Sequence, residues 1–90
     1  MVATKVFKAL GDDVRLTIVQ CLARGDKPLK YSDIASRCDC VSKLSQPTIS
    51  HHINKLASAE VILVSKQRTE NFYTLNREGL STIGIDTKLL

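Results

Sequence analysis

Apolar positions in the first forty residues recur at helical spacing and predict three short helices. A first helix over residues 2–10 has one apolar face, made of Val2, Val6, Ala9 and Leu10. A second helix follows Asp12, a residue type that caps helix N-termini, and ends before Gly25. Its recurring apolar residues are Leu16, Val19, Leu22 and Ala23. A third helix, from Tyr31 to Cys38, directs three residues inward: Ile34, Ala35 and Cys38.

The segment from residue 45 to residue 59 has the clearest helix start in the chain. Ser45 can cap the helix, and Pro47 is acceptable only in a first turn, where its missing N–H leaves no bond unmade. The apolar stripe of this helix consists of Ile49, Ile53, Leu56 and Ala57. At about 100° per residue the opposite face consists of His51, Asn54, Lys55 and Ser58, with Ser50 and His52 on its flanks. We therefore expect His51 to face away from the core and His52 to lie at its edge.

After Glu60 the apolar period changes from helical to alternating. The segments VILVSKQ and NFYTL are rich in β-branched and aromatic residues and flank a polar turn, which predicts a β-hairpin over residues 62–75 with its tip near residues 68–71. A short strand at 28–30 and a weak helix at 76–84 complete the pattern. Helices followed by a hairpin predict a mainly α protein with a small β-hairpin, a winged helix-turn-helix, formed as a single domain over residues 1–90.

The charge distribution favours an anionic partner. The chain has 13 basic and 9 acidic residues, a net charge of +4, and within residues 41–77 five residues are basic and two are acidic. Because a helix with outward polar side chains fits the major groove, we expect the partner to be double-stranded DNA. In this interpretation Lys55, Lys66 and Arg68 attract the phosphate backbone. The longest strongly apolar run, VILV, is too short to span a bilayer, so we expect no membrane partner.

Several function classes have no support in the sequence. It has no glycine-rich phosphate loop and no nucleophile motif, so we expect no enzyme activity and no cofactor. It has no secretion signal, so we expect a cytoplasmic location. The adjacent His51 and His52 are poorly placed as a metal pair, because neighbours on a helix point about 100° apart. DNA contact is therefore favoured over an inert surface, and a metal site is the weakest of the three interpretations.

The three cysteines leave more alternatives open. An odd count, Cys21, Cys38 and Cys40, argues against a disulfide framework. Cys38 and Cys40 form a Cys-x-Cys pair that could bind a soft metal or act as a redox sensor, although a structural role is favoured because cysteine is often a small buried residue. A thiol-based sensor and a winged-helix protein-interaction module therefore stand as alternatives to a DNA-binding regulator.

Three segments resemble the ArsR/SmtB-type winged-helix repressors: FKALGDDVRLTIVQCL, SQPTISHHINKLASAEVI and NFYTLN, which together extend from Phe7 to Asn76. The resemblance implies a homodimeric repressor that leaves DNA when an inducer binds, and two copies would require an inverted-repeat operator. It implies DNA contacts from the recognition helix through Gln46, Thr48, Ser50 and His51. It also assigns Lys66, Arg68 and Asn71 to the wing.

The chain departs from this family at the positions of its usual sensors. Metal-sensing members often carry Cys-Val-Cys where this chain has Lys30, Tyr31 and Ser32, and the C-terminal segment REGLSTIGIDTKLL has no histidine. The segment CDCVSK at 38–43 instead lengthens the turn before the recognition helix. The inducer, the operator sequence and the dimer geometry stay open from the sequence.

Overall fold

Six α-helices and a three-stranded sheet form the fold. A computed structural model describes the backbone of residues 1–90 and the side chains of residues 1–38 and 41–90. The helices are α1 (Ala3–Leu10), α2 (Asp13–Arg24), α3 (Tyr31–Arg37), α4 (Asp39–Ser42), α5 (Gln46–Ser58) and α6 (Arg77–Thr82), followed by a 3₁₀ turn (Thr87–Leu89). The strands are β1 (Leu29–Lys30), β2 (Ile62–Gln67) and β3 (Glu70–Leu75).

The core draws side chains from every α-helix and every strand. Its largest fully buried side chains include Ile18, Ile34, Leu56, Ile62 and Leu80, so one continuous cluster joins helices α2, α3, α5 and α6 to the sheet. Such burial stabilises a fold by about 1.5–3 kcal/mol for each large aliphatic side chain. The core therefore fixes α5 against the rest of the domain through side chains on its inner face.

The predicted apolar face of α1 is only partly correct. Val6 and Ala9 are buried and Leu10 packs against the core, as predicted. Val2 is 54% exposed. Its backbone is extended, because α1 begins only at Ala3. Phe7 is 55% exposed beside this face. The part of α1 that packs is therefore a narrow stripe against α2 and α5.

Helix α5 begins as predicted. The Ser45 hydroxyl accepts a hydrogen bond from the Thr48 N–H at 3.4 Å, and Pro47 lies in the first turn. Its stripe is buried at Ile49, Ile53 and Leu56, with Ala57 partly buried. The polar face predicted on the opposite side is therefore left for solvent or a partner.

The sheet places β3 between β1 and β2, with both pairs antiparallel. Tyr73 in β3 is level with Leu29 on one side and Val64 on the other, so β1 adds a third strand to the predicted hairpin. The hairpin turns at Arg68 and Thr69, and Arg68 has a φ of 58°, in the left-handed region. We call residues 62–75 the wing.

The lengthened turn before α5 contains a short helix. Helix α3 ends at Arg37, one residue earlier than predicted, and α4 follows at Asp39–Ser42. Val41 is fully buried, and α4 packs against α2 and α3.

Candidate nucleic-acid interface

The outward face of α5 is polar and open to solvent. His51, Asn54, Lys55 and Ser58 are exposed, as the helical phase predicted. Two of the other predicted contact residues, Gln46 and Thr48, are exposed on the first turn, and Ser50 is half-buried on the flank. The structure thus places Gln46, Thr48, His51 and Lys55 on the accessible surface of one helix, with Ser50 at its margin.

The N-terminus of α5 is organised by its cap. The Ser45 and Thr48 hydroxyl oxygens lie 2.9 Å apart, so the two side chains hydrogen-bond to each other across the first turn. Backbone N–H groups at a helix N-terminus carry partial positive charge and bind phosphate oxygens. The start of α5 can therefore bind an anionic group such as a phosphate.

The wing carries its cations near the tip. Lys66, Arg68 and Asn71 are all exposed, and Lys66 is level with Asn71 across the two strands. Glu70 is paired with Lys30 at 3.8 Å, which offsets the carboxylate next to the tip. Among the described side chains, Lys66 and Arg68 form no ion pair, so both remain available to an anionic partner.

Arg77, unlike Lys66 and Arg68, is engaged within the fold. Its guanidinium donates to the backbone carbonyl oxygens of Ala23 at 3.0 Å and Gly25 at 3.2 Å. These carbonyls lie at the C-terminus of α2, where a positive charge is stabilising. The basic excess of residues 41–77 therefore includes one residue that holds α6 against α2.

A second polar cluster lies on the flank of α5, next to α1 and α2. Arg15 donates through Nε to the Ala9 carbonyl oxygen at 2.7 Å, and its Nη1 lies 3.1 Å from His52 Nδ1. Because a guanidinium can only donate, His52 Nδ1 accepts and the ring carries its proton on Nε2. Asp12 Oδ2 lies 3.8 Å from the same His52 nitrogen. The Arg15–His52–Asp12 cluster thus joins α1, α2 and α5 at one point.

The two histidines therefore lie in different environments. His51 is exposed, whereas the His52 side chain is only 14% exposed and lies against Arg15. The prediction that His52 lies at the core edge is confirmed. The sequence did not reveal its partner, although Asp12 as a cap and His52 on a flank were the two signals available.

The pKa of the Asp12 carboxyl is held below its ordinary value of 3.8. The main cause is the hydrogen bond it accepts from the Arg15 backbone N–H, at 3.0 Å. Partial burial opposes this effect, and the positive charge of Arg15 adds to it. Asp12 therefore caps α2 as a carboxylate over a wider acidic range than an ordinary aspartate.

This lowered pKa predicts a pH dependence. A carboxylate with a lower pKa in the folded state stabilises the fold above its unfolded pKa of about 4, and the contribution is lost as the pH falls through the folded value. Asp12→Asn retains a capping side chain but has no carboxylate to protonate. We expect the wild-type advantage in unfolding free energy over Asp12→Asn, measured by urea denaturation, to shrink as the pH falls below about 4.

Asp26→Asn, in an exposed loop, is the matched control. A wild-type advantage over Asp12→Asn that stays constant from pH 7 to pH 2 would contradict the assigned role of the carboxylate.

The cysteines do not form an assembled site in the described part of the chain. Cys38 is buried in the core at 4% exposure, and Cys21 is partly buried. The side chain of Cys40 lies outside the described residues, so the Cys38–Cys40 pair stays a prediction. Among the described side chains, no three histidine, cysteine or acidic residues come close enough to hold a metal ion.

A capped helix with an exposed polar face, preceded by packed helices and followed by a cationic β-hairpin, defines a winged helix-turn-helix DNA-binding protein. A family model described as a helix-turn-helix domain matches residues 10–65. None of the described helices combines the length and apolar character that crossing a bilayer requires.

Proteins of similar sequence are transcriptional regulators and repressors. The chain is 40% identical over 75 residues to an uncharacterized HTH-type transcriptional regulator of Methanocaldococcus jannaschii, covering 79% of this chain and 74% of that protein. It is 39% identical over 71 residues to the transcriptional repressor SdpR of Bacillus subtilis, covering 79% and 72%. It is 32% identical over 80 residues to the arsenical resistance operon repressor of Staphylococcus xylosus, covering 87% and 69%.

Solved structures agree with this fold. The chain superposes on the transcriptional repressor PagR of Bacillus anthracis with a TM-score of 0.72 and 28% identity, covering 97% of this chain and 90% of that one. It superposes on a homodimeric winged helix-turn-helix domain of Mycobacterium bovis with a TM-score of 0.74 and 23% identity, covering 97% and 72%. The chain belongs to the ArsR-type helix-turn-helix transcriptional regulators. Neither a protein-interaction module nor a thiol-based sensor is favoured by these relatives.

Proposed function

We propose that this regulator is a homodimeric repressor that binds an inverted-repeat operator in the cytoplasm, with residues 1–90 acting as one DNA-binding domain. The observation that carries the proposal is the exposed polar face of α5, which begins at a capped, proline-containing turn and leads directly into the cationic wing. Supporting it, the similar proteins of Bacillus subtilis and Staphylococcus xylosus are repressors, and the similar Mycobacterium bovis domain is homodimeric.

In the proposed complex α5 lies in the major groove. Gln46, Thr48 and His51 face the base edges, where side chains with both donor and acceptor atoms discriminate base pairs. Ser50, half-buried at the margin, contacts the backbone from the flank. Lys55 attracts phosphates beside the helix.

The wing supplies the second part of the contact. Lys66 and Arg68 extend beyond the sheet and approach the backbone, and Asn71 adds a hydrogen-bonding side chain on the facing strand. Phosphate contacts fix the register of a protein on the duplex, while base contacts specify the sequence. The wing therefore contributes affinity for any duplex, and α5 contributes preference for the operator sequence.

A symmetric operator follows from one recognition helix per chain. Matching helices of a dimer enter successive major grooves when they are about 34 Å apart. Each domain measures 31 × 28 × 21 Å, so two copies side by side can reach that separation.

His51→Ala tests the assignment of the recognition face. We expect it to weaken binding to the operator by about 1–3 kcal/mol while binding to a random duplex changes little, because it removes base contacts and leaves phosphate contacts intact. The operator is first isolated by pull-down of genomic DNA, and affinities are then measured by fluorescence anisotropy.

Ser81→Ala, an exposed position on α6, serves as the control. If wild-type protein bound no duplex at low salt, the proposed function would fail. If His51→Ala kept both affinity and preference, the orientation of α5 on DNA would be wrong.

A further inference from the structure

An open groove of about 470 Å³ runs between α1 and the outward face of α5. Four of its lining side chains are basic, Lys5, Lys8, Arg15 and Lys55, and His51 also lines it. None of the described lining residues is acidic. We call this the basic groove.

The lysines of α1 have no competing partner among the described side chains. Lys5 and Lys8 are exposed and form no ion pair there. Arg15 at the inner wall is engaged by the Ala9 carbonyl oxygen and His52, yet its positive charge still faces the groove. Because these positive charges line one groove without an acidic residue among its described lining, the groove is electrostatically complementary to an anion.

The groove and the recognition face share residues. His51, Asn54 and Lys55 line the groove and also form the outward surface of α5 proposed to enter the major groove. A DNA strand that borders the major groove would pass along one flank of α5, and α1 lies along one of the two flanks. An enclosed small-anion pocket would surround its ligand, whereas this groove is open along its length, which suits a continuous polyanion.

We propose that Lys5 and Lys8 of α1 bind phosphates of the DNA strand beside the recognition helix, so that the backbone contact extends from the wing to the first helix. This inference rests on the proposed function and adds a contact surface to it. Each lysine that neutralises a phosphate releases about one counterion, which raises affinity without reading sequence. The lysines of α1 therefore set how tightly the regulator binds any duplex.

The test is a Lys5→Gln/Lys8→Gln double variant compared with a charge-matched Lys27→Gln/Lys88→Gln variant. Lys27 and Lys88 are exposed, and neither lines the basic groove. Affinity is measured by fluorescence anisotropy from 0.05 to 0.3 M salt, on the operator and on a random duplex of equal length. Circular dichroism and sedimentation verify folding and oligomeric state.

We expect the groove variant to bind both duplexes more weakly, on the order of five- to tenfold for each lost contact at 0.1 M salt. The slope of log affinity against log salt should fall by about 0.9 per contact, and the preference for the operator should be unchanged. The Lys27→Gln/Lys88→Gln variant should retain the wild-type slope.

Several outcomes would overturn the inference while leaving the proposed function intact. One is an unchanged salt slope in the groove variant, and another is a loss restricted to the operator, which would indicate base contacts. A changed oligomeric state would show that the groove faces a second copy of the chain. Displacement of DNA by millimolar inorganic phosphate at fixed ionic strength, in wild type and not in the groove variant, would indicate a small-anion site.

Discussion

Leu56→Ala is expected to lower the free energy of unfolding by about 2–5 kcal/mol. Leu56 is fully buried on the inner face of α5, where it joins the recognition helix to the core. Domains of this size are stable by only about 5–15 kcal/mol, so the substitution removes a large share of the total. Chemical denaturation at fixed protein concentration measures the loss, because the proposed dimer would make stability depend on concentration.

The neighbouring Lys55→Ala provides the matched control for this prediction. Lys55 is exposed one residue earlier on the same helix, so its removal should change stability by less than about 0.5 kcal/mol while weakening DNA binding. Equal destabilisation by the two substitutions would show that α5 is not held by its inner face.

Arg15→Ala should affect both stability and DNA binding. It removes the donors to the Ala9 carbonyl oxygen and to His52 Nδ1, and hydrogen bonds to charged groups contribute about 1.5–3 kcal/mol. Without them His52 loses its partner at the junction of α1, α2 and α5, and the angle of α5 is less well defined. We expect a loss of about 2 kcal/mol in unfolding free energy and roughly tenfold weaker operator binding.

Two control variants separate the effect of Arg15 geometry from the effect of its charge. Arg24→Ala removes an exposed arginine from the same helix, whose Nε donates only within α2, and should leave operator binding unchanged. Arg15→Lys keeps the charge but lacks the planar fork that reaches both acceptors. Full operator binding by Arg15→Lys would mean that charge alone matters, and the orienting role of the cluster would then be rejected.

Local rules predicted the recognition helix well because its signals lie within a few residues of one another. Ser45 defines the start through its hydroxyl, which accepts from the Thr48 N–H, and Pro47 occupies a first-turn position that needs no N–H. The phase of Ile49, Ile53 and Leu56 then determines which side of the helix is buried. The exposed position of His51 and the marginal position of His52 follow from that phase.

Contacts between distant segments could not be predicted in the same way. Arg15 and His52 are 37 residues apart, and periodicity indicates that a side chain faces the core edge without naming what it meets there. The same limit applies to Arg77, which the sequence places only within the basic excess of residues 41–77, while its carbonyl acceptors lie more than fifty residues earlier.

The first helix shows a further limit. Its apolar pattern predicted a wider buried face than α1 has, because the pattern does not indicate which elements pack against the helix; in the described chain these are chiefly α2 and α5. The charge pattern alone places the basic excess after residue 41, whereas the fold brings Lys5 and Lys8 of the first helix alongside α5.

At the wing tip, Arg68 combines a strained backbone conformation with a positive charge. Arg68 adopts a φ of 58°, a conformation that glycine or asparagine adopts more readily and that disfavours other L-residues by about 1–2 kcal/mol. Glycine at this position would relax the turn but remove the outermost cation of the proposed DNA contact. Selection for thermal stability and selection for DNA affinity would thus act on this single residue in opposite directions, a local trade-off between stability and activity.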